Sequence, residues 1–251
     1  MTIQNTMANE WFYDWFNSPY YHLLYHKRDD AEAQYFIDNL LSKLHIPLHS
    51  KLLDIACGRG RHAIYLNTHG YDVTGIDLSV ENIRFAKQFE NDSLRFFVHD
   101  MRELSYDRYF DVAFNLFTSF GYFATDEQHI DTLVNFYNAL KPGGLLVLDY
   151  FNSHKILKNV VPNDVKKVED IEFHIQKTIS RNKIIKNISF DHGNESYTFK
   201  EMVSTFMEAD FMRFFKQSGF EIISTFGSYG LDRFDAEHSD RLIFICKRSD
   251  A

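Results

Sequence analysis

The sequence predicts an α/β protein with a doubly wound, mostly parallel seven-stranded sheet and an antiparallel β-sheet inserted after the fifth strand. Three observations predict this class. Short apolar runs alternate with stretches of helical periodicity as far as residue 150, which is typical of a parallel sheet covered by helices. The first of these runs leads into a glycine-rich turn. After Asn152 the rhythm changes to β-rich stretches that lack long helices between them, which indicates an insertion.

The elements of the first 150 residues follow from local signals. Apolar residues recur at helical spacing from Ala33, so a helix is expected that ends near Pro47. The run from Lys51 to Ile55 is a predicted strand, and the helix after its glycine-rich turn should stop at Gly70. The later patterns predict strands at 71–76, 94–98, 110–116 and 145–150, a helix capped by Ser79, and a helix at 126–140 that Pro142-Gly143-Gly144 ends.

The second part of the chain contains the insertion and the end of the core. Antiparallel strands are expected near 173–180, 184–190 and 197–206. A helix near 209–218 then leads to strands at 220–226 and 242–246, joined by a loop long enough to be functional. The predicted organisation is an N-terminal helical lid at 1–45, an α/β core at 46–152, an inserted sheet on the substrate side at 153–206, and a final helix with two strands at 207–251.

Composition and charge exclude several classes of protein. The 251 residues are 45% hydrophobic and 25% charged, as in ordinary globular proteins. The formal net charge of -8 disfavours a nucleic-acid backbone or an anionic membrane as the main partner. Basic residues from Lys155 to Lys186 are interleaved with acids, which is typical of a solvated face, although RNA binding through a local patch stays open. No apolar run reaches membrane-spanning length. The N-terminal residues do not have the pattern of a signal peptide, so none is expected.

Cysteine and histidine usage predicts neither a disulfide framework nor a metal site. Cys57 and Cys246 are nearly two hundred positions apart, and a reducing cytoplasm fits them best. His22 and His26 stand four residues apart in an expected helix, but no third ligand is evident near them. We therefore expect a cytoplasmic protein that binds no metal.

The glycine-rich turn is compatible with two nucleotide-like ligands. Residues 58–63, Gly-Arg-Gly-Arg-His-Ala, satisfy the pattern of dinucleotide-binding turns, and Asp77 lies at the right separation to bind a ribose. Asp54 discriminates between the two ligands. At the end of its strand, its carboxylate would face a pyrophosphate in a nicotinamide dinucleotide, but a methionine ammonium in a methyl donor. Because a carboxylate attracts a cation and repels a dianion, the methyl donor is favoured.

Three successive strands are expected to end in carboxylates, at Asp54, Asp77 and Asp100. In a parallel sheet these strand ends line one crevice. A zwitterionic ligand with an ammonium, a ribose diol and an adenine amino group offers each carboxylate a partner. The alternative is that the three acids only cap the helices that follow them.

The segment Leu52-Leu53-Asp54-Ile55-Ala56-Cys57-Gly58-Arg59-Gly60 resembles the first motif of class I S-adenosylmethionine-dependent methyltransferases. Residues 75–79, 99–102 and 140–144 resemble that family's later motifs in order and spacing. The resemblance implies a Rossmann-like fold with S-adenosylmethionine as cofactor; one departure is Ala56, where the family often has glycine. The donor-binding residues that it implies in this core are Asp54, Ala56, Cys57, Gly58, Gly60, Asp77, Leu78, Asp100, Met101 and Asn115.

Within that family the chain resembles the small-molecule branch that includes aminosugar N-methyltransferases. The resemblance rests on residues 100–102, on residues 115–122 and on the inserted sheet. In that branch an N-terminal segment closes over the donor, and its counterpart here contains Tyr20, Tyr21, Tyr25 and Arg28. The resemblance implies that Tyr21 contacts the donor and that Arg28 pairs with its methionine carboxylate. The alternative for Arg28 is a surface residue beside two aspartates.

Tyr122 is the candidate catalytic residue, because the resemblance places it near the transferred methyl group. It would orient the acceptor or relay its proton. Since the branch is associated with histidine around this point, the existence of a general base stays open. The alternative for Tyr122 is a core or rim aromatic residue.

The aromatic run at residues 11–16 has two interpretations, as a lid over a cationic ligand or as a helix that packs on the core. Three functions remain in competition. The first is methylation of a small molecule, which we expect to be an amine on a polar metabolite. The second is a catalytically silent binding protein with the same fold, and the third is a nicotinamide-dependent oxidoreductase.

Overall fold

The computed structural model describes residues 11–25 and 30–249. These residues divide into two compact units, of which the smaller takes 11–25 and 156–205, and the larger takes 30–155 and 206–249. The helix that begins at residue 30 therefore belongs to the larger unit, whereas the expected division grouped it with the N-terminal lid at 1–45. No helix among the described residues is long and apolar enough to cross a bilayer. Within the same ranges, no three His, Cys, Asp or Glu side chains are grouped to hold a metal ion.

Helices and strands alternate along the larger unit, as the apolar periodicity predicts. The described elements in chain order are α1 (Trp11–Asn17), α2 (Pro19–Leu24), α3 (Asp30–Leu44), β1 (Lys51–Ile55), α4 (Arg61–Thr68), β2 (Asp72–Asp77), α5 (Val80–Ala86), β3 (Leu94–Val98), β4 (Phe110–Asn115), α6 (Asp126–Ala139), β5 (Leu140–Phe151), α7 (Ser153–Lys158), β6 (Asn163–Val168), β7 (Ile171–Ser180), β8 (Lys183–His192), β9 (Glu195–Ser204), α8 (Glu208–Ser218), β10 (Phe220–Phe226) and β11 (Arg241–Arg248). Short 3-10 turns follow α5 at Lys87–Phe89 and β3 at Met101–Glu103.

The larger unit contains the predicted seven-stranded sheet, in the order β10-β11-β5-β4-β1-β2-β3. The last five strands of this order are mutually parallel, whereas β11 runs antiparallel to both β10 and β5. The chain order reverses at β1, which has β2 on one side and β4 on the other. Doubly wound sheets bind ligands at such a switch point, outside the carboxyl ends of the strands.

The central strands are apolar because both faces of this sheet are covered. Leu52, Leu53 and Ile55 of β1 are fully buried, as is Phe96 of β3, whose ring lies beneath the turn after β1. Fully burying one such side chain contributes about 1.5–3 kcal/mol. The core therefore fixes the carboxyl end of β1 at the switch point.

The fifth strand begins earlier than the sequence predicts. Helix α6 ends at Ala139, close to the expected position, but β5 already starts at Leu140 and includes Pro142 and the two glycines. Pairing with β4 shifts between Phe110 opposite Leu140 and Val112 opposite Leu145. The segment Pro142-Gly143-Gly144, which was expected to end the helix before the strand, is thus an irregularity inside β5. The pairing between β4 and β5 resumes after it.

Two elements of the insertion were not predicted. Strand β6 has the sequence Asn-Asp-Val-Lys-Lys-Val and is mostly exposed, so it lacks the alternation of polar and apolar residues that marks a half-buried strand. Its position at the edge of the four-stranded sheet β6-β7-β8-β9 explains this composition. Helix α7 has six residues, too few for a periodic signal.

The smaller unit consists of α1, α2 and this antiparallel sheet. Trp15 of α1 and Leu24 of α2 are buried against apolar side chains of the strands, including Phe173, Ile188 and Phe190. The Trp15 ring lies 4.7 Å from that of Phe199, between centroids. The aromatic run at residues 11–16 thus packs on the inserted sheet of this unit and not on the α/β core, as the second interpretation had expected, and its role as a lid stays a prediction.

Candidate functional site

The turn between β1 and α4 is built from left-handed backbone. Ala56, Gly58 and Gly60 have φ values of 58°, 57° and 85°. A Cβ at Gly60 would lie 2.7 Å from the Phe96 ring, so both packing and conformation require glycine there. A Cβ at Gly58 would meet no heavy atom within 4 Å. The turn is therefore packed against the core at Gly60 and open at Gly58, where a ligand can approach the backbone.

Asp54 is a buried carboxylate at the start of this turn. It is 1% exposed, and its Oδ2 accepts a hydrogen bond from the Ala63 backbone amide at 3.2 Å. Among the described residues it has no ion-pair partner. Burial, with a smaller contribution from the nearby charge of Asp77, raises the pKa of Asp54 to about 7. A bound cation would stabilise the ionised form of this carboxylate.

Asp77 at the end of β2 is tied to the glycine turn. Its Oδ2 accepts a hydrogen bond from the Gly58 amide, and its Oδ1 accepts one from the Ser79 amide, both at 2.8 Å. Burial raises the pKa of Asp77, and these hydrogen bonds oppose the rise. Because a carboxylate offers about four acceptor sites, Asp77 retains capacity to bind hydroxyl groups. Ser79 caps α5, as predicted, by accepting from the Asn82 amide.

Asp100 differs from the other two carboxylates because Arg102 compensates its charge. The Nε of Arg102 lies 3.1 and 3.0 Å from the two carboxylate oxygens, and its Nη2 lies 2.6 Å from Oδ2. Asp100 also accepts a hydrogen bond from the Arg102 amide and so caps the 3-10 turn. The helix-capping alternative therefore describes part of the role of Asp100, and sequence analysis missed its ion pair with Arg102.

The other predicted donor residues of the larger unit also lie at strand ends. Leu78 and Met101 follow β2 and β3 and are half-buried. Cys57 is buried, and its amide donates to Ile76 O at 2.9 Å. Asn115, the last residue of β4, is fully buried, and its Nδ2 donates to Ile55 O at 3.3 Å. Its Oδ1 has no partner among the described residues, so this buried acceptor is available to a ligand.

His62 is a buried histidine that sequence analysis used only as part of the glycine pattern. Burial, with a contribution from Arg61, lowers the pKa of His62 to about 3, so its imidazole is neutral. Its ring centroid lies 5.1 Å from that of Phe117, in the loop after β4. The helix after the glycine turn thus contacts the loop that carries the candidate catalytic residue.

That loop is held in a strained conformation by Asp149 and Arg241. Phe117 and Thr118 have φ values of 56° and 62°. The carboxylate of Asp149 on β5 accepts a hydrogen bond from the Phe117 amide at 2.8 Å and pairs with Nε of Arg241 on β11 at 2.8 Å. Arg241 also donates from Nη2 to the Thr118 hydroxyl at 3.0 Å. Sequence analysis missed this pair, although an aspartate inside the apolar run at 145–150 was a visible signal.

Tyr122 lies on the loop after β4, as predicted. Its hydroxyl donates a short hydrogen bond to the Thr118 carbonyl oxygen. The preceding Gly121 has φ 94°, and a Cβ there would collide with the hydroxyl of Tyr150. The conformation of Tyr122 is therefore set by its own loop and by β5.

Of the two predicted donor-binding residues of the N-terminal segment, the structure describes Tyr21. Tyr21 belongs to the smaller unit, where its ring contacts those of Trp15, Phe16 and Tyr25 at centroid distances of 5.6, 5.0 and 5.1 Å. Arg28 lies outside the described residues. The structure brings Asp54, Asp77 and the glycine turn together, with Asp77 bound directly to Gly58.

Comparison with known proteins gives one family. Residues 52–144 match the family model described as "Methyltransferase domain". The chain is 31% identical over 248 residues to the Bacillus subtilis protein named "Putative methyltransferase YqeM", covering 94% of this chain and 97% of that protein. It is also 25% identical over 202 residues to the dTDP-3-amino-3,4,6-trideoxy-alpha-D-glucopyranose N,N-dimethyltransferase of Streptomyces venezuelae, covering 76% of this chain and 83% of that enzyme.

A solved structure has the same fold over the whole chain. It is an S-adenosylmethionine-dependent methyltransferase from Clostridium acetobutylicum. The TM-score is 0.76 at 20% identity, and the match covers 99% of this chain and 100% of that one. This likeness confirms the predicted Rossmann-like architecture.

Proposed function

Because this chain belongs to the S-adenosylmethionine-dependent methyltransferases, we propose that it transfers a methyl group to the nitrogen of a small, polar amine. Its cofactor is S-adenosylmethionine, and the nicotinamide alternative is set aside. The observation that carries the donor site is the buried carboxylate of Asp54, which has no ion-pair partner among the described residues and lies beside an open glycine turn. The amine acceptor is supported by the similarity to an aminosugar N,N-dimethyltransferase.

The residues present fit the donor. Asp54 would pair with its ammonium, and Asp77 would accept hydrogen bonds from the ribose hydroxyls. The backbone of residues 56–60 would lie against the donor where Gly58 leaves open space. The further proposed contacts are Leu78 and Met101 around the adenine, Asp100 near its amino group, Asn115 through its unpartnered oxygen, and Tyr21 and Arg28 from the N-terminal segment.

The bound donor supplies a methyl group on a sulfonium, and an amine can displace it in line without a covalent enzyme intermediate. The chain then has to hold the acceptor in line and exclude water. The Tyr122 hydroxyl donates a hydrogen bond to Thr118 O, and a hydroxyl oxygen can also accept, so it is suited to accept a hydrogen bond from the amine. It would orient the nitrogen as the amine loses its proton.

The proposal is tested by incubating the protein with isotopically labelled donor and a library of small amines, and by locating the label with mass spectrometry. We expect one labelled product with the methyl group on nitrogen, and activity that rises from neutral to alkaline pH as the acceptor amine loses its proton. A label on oxygen, carbon or a macromolecule would refute the amine assignment. Donor binding without turnover on any acceptor would instead favour the catalytically silent alternative.

Tyr122→Phe tests the proposed role of the tyrosine. It should lower kcat while leaving the donor Kd unchanged, because the interaction serves the transition state. An equal kcat in the wild-type protein and in Tyr122→Phe would indicate that Tyr122 serves only in packing. We further propose a cytoplasmic location and no nucleic-acid or membrane partner, on the grounds of the net charge of -8 and two unpaired cysteines.

A further inference from the structure

Thr118, in the loop after β4, has a backbone conformation that a β-branched residue rarely adopts. Its φ is 62°, in the left-handed region, and Phe117 before it has a φ of 56°. A β-branched side chain crowds its own backbone in this region, so a threonine there is a genuine outlier. Such strain persists only where the surrounding contacts impose it, and it is concentrated at functional sites. The contacts of Thr118 therefore indicate what its conformation serves.

Three polar groups of Thr118 each bind a different part of the larger unit. Its amide donates to the carbonyl oxygen of Asp149 on β5 at 3.0 Å. Its hydroxyl accepts from Nη2 of Arg241 on β11, also at 3.0 Å. Its carbonyl oxygen accepts the hydrogen bond from the Tyr122 hydroxyl. Two neighbouring strands thus fix Thr118, and Thr118 in turn holds the side chain of Tyr122.

The guanidinium that binds the Thr118 hydroxyl is itself held in place. Nε of Arg241 pairs with the buried carboxylate of Asp149 at 2.8 Å, and the guanidinium lies 5.4 Å from the ring centroid of Tyr229. Hydrogen bonds from a charged donor are strong and directional. Because the side chain and the carbonyl group of Thr118 share one Cα, a fixed hydroxyl opposes rotation of the carbonyl oxygen away from Tyr122.

A phenol has one proton, and the position of that proton decides where its oxygen can accept a hydrogen bond. The O–H bond of a phenol lies near the plane of its ring. A proton held toward Thr118 O therefore directs an acceptor lone pair of Tyr122 to the opposite side of the oxygen. We propose that Thr118 is a positioning residue for methyl transfer, because it fixes the hydroxyl proton of Tyr122. This inference rests on the proposed role of Tyr122 in orienting the acceptor nitrogen.

The first measurement follows the Tyr122 hydroxyl and needs no acceptor. Carbon-13 at Cζ of tyrosine reports the hydrogen bonding of the hydroxyl, and the signal lost in Tyr122→Phe assigns this residue among the 14 tyrosines. Thr118→Val removes the hydroxyl that Arg241 binds but keeps a β-branched side chain, so the crowding of the backbone is unchanged. It should shift the Tyr122 signal. Thr118→Ser keeps the hydroxyl and should leave that signal near its wild-type position.

The second measurement is turnover with labelled S-adenosylmethionine, on the amine from the library that gives the labelled product. Thr118→Val should lower kcat by about tenfold to a hundredfold, because a displacement of about 1 Å near the reacting groups can cost as much. The donor Kd should stay unchanged, which also shows that the variant is folded. Thr118→Ser should keep kcat well above that of Thr118→Val.

Thr132→Val is the matched control. It makes the same substitution at a buried threonine of α6, whose hydroxyl donates to the Gln128 carbonyl oxygen at 2.7 Å. This variant should change neither kcat nor the Tyr122 signal. If Thr132→Val lowered kcat as much as Thr118→Val does, the loss in Thr118→Val would reflect the removal of any buried hydroxyl, and the inference would be overturned.

Combining Thr118→Val with Tyr122→Phe tests whether the two residues act as one unit. In Tyr122→Phe no hydroxyl is left to orient, so the added Thr118→Val change should cause little further loss of kcat. Losses that multiply would overturn the inference, because independent effects add in free energy.

The outcomes separate this inference from the proposed function. A wild-type protein without turnover on any amine would refute the proposed function, and a wild-type kcat in Tyr122→Phe would refute the role of Tyr122; the inference falls with either. If the wild-type protein turns over and Tyr122→Phe is slower, an unchanged kcat or an unchanged Tyr122 signal in Thr118→Val would refute the role of Thr118 alone.

Discussion

Donor binding should release a proton from Asp54. The pKa of this carboxyl is raised to about 7 by burial, so about one tenth of the free protein is ionised there at pH 6 and about half at pH 7. A donor ammonium beside Asp54 favours the ionised form. An α-amino group has a pKa of about 7.7–8.0, so roughly nine tenths of the donor is already protonated at pH 7. The net release at pH 7 is then about 0.4 proton per donor.

The same two titrations predict how affinity depends on pH. The product of the ionised fraction of Asp54 and the protonated fraction of the donor rises about fivefold between pH 6 and pH 7, and then levels off toward pH 8. Calorimetry in two buffers of different ionisation enthalpy measures the proton release directly. The Asp54→Asn variant should bind the donor more weakly and release no proton on binding. Its donor affinity should no longer rise between pH 6 and pH 7.

Asp72→Asn changes a carboxylate at the opposite end of β2, where it pairs with Lys51 and Arg95, and should leave the proton release intact. Because the pKa of Asp54 is raised on folding, its contribution to stability is present below about pH 4 and is lost as the pH rises to about 7, by about 4 kcal/mol in all. In the Asp54→Asn variant, this loss of folding stability between pH 4 and pH 7 should disappear. Unchanged proton release in Asp54→Asn would refute the reasoning.

The remaining predictions concern the turn, the ribose and the loop after β4. Gly60→Ala should lower the free energy of unfolding by about 2 kcal/mol or more, because it adds a contact of 2.7 Å to a left-handed residue. In thermal unfolding experiments Gly58→Ala should lower the stability less than Gly60→Ala does, but it should weaken donor binding. Equal losses of stability in the two variants would contradict the difference in packing between Gly58 and Gly60. Asp77→Ala should cost about 2 kcal/mol or more of donor affinity by calorimetry, and an unchanged Kd would place the ribose elsewhere. Arg241→Met leaves Asp149 buried without its cation and should destabilise the fold by about 3–5 kcal/mol in denaturant, whereas a loss below about 1 kcal/mol would mean that the pair does not hold the loop.

The elements whose signals are local in the chain are predicted correctly from the sequence. Glycines, Asp54 and the apolar run before them lie within ten residues, and β1 has the expected bounds of Lys51 to Ile55. Strand β10 also has the predicted bounds of Phe220–Phe226, because its apolar residues are adjacent in the chain. The predicted start of β5 was wrong, because the irregular pairing at its beginning depends on the partner strand β4.

The site residues that were missed depend on distant partners. Asp149 is 92 positions from Arg241, so no local pattern connects them. The compensation of Asp100 by Arg102 is different, since the two residues are neighbours in the chain. There the sequence contained the information, but charge pairing at that spacing depends on the 3-10 turn that orients both side chains.

The ion pair between Asp149 and Arg241 also constrains the order in which the protein can be assembled. The Thr118 hydroxyl is bound by a residue 123 positions later in the chain. During synthesis the glycine turn, β4 and their helices emerge well before β11. A nascent chain without Arg241 would bury Asp149 with no counter-charge, and the Thr118 hydroxyl would lack the hydrogen bond from the Arg241 guanidinium. The loop that carries the candidate catalytic tyrosine should therefore take its final form only after translation has reached the last strand.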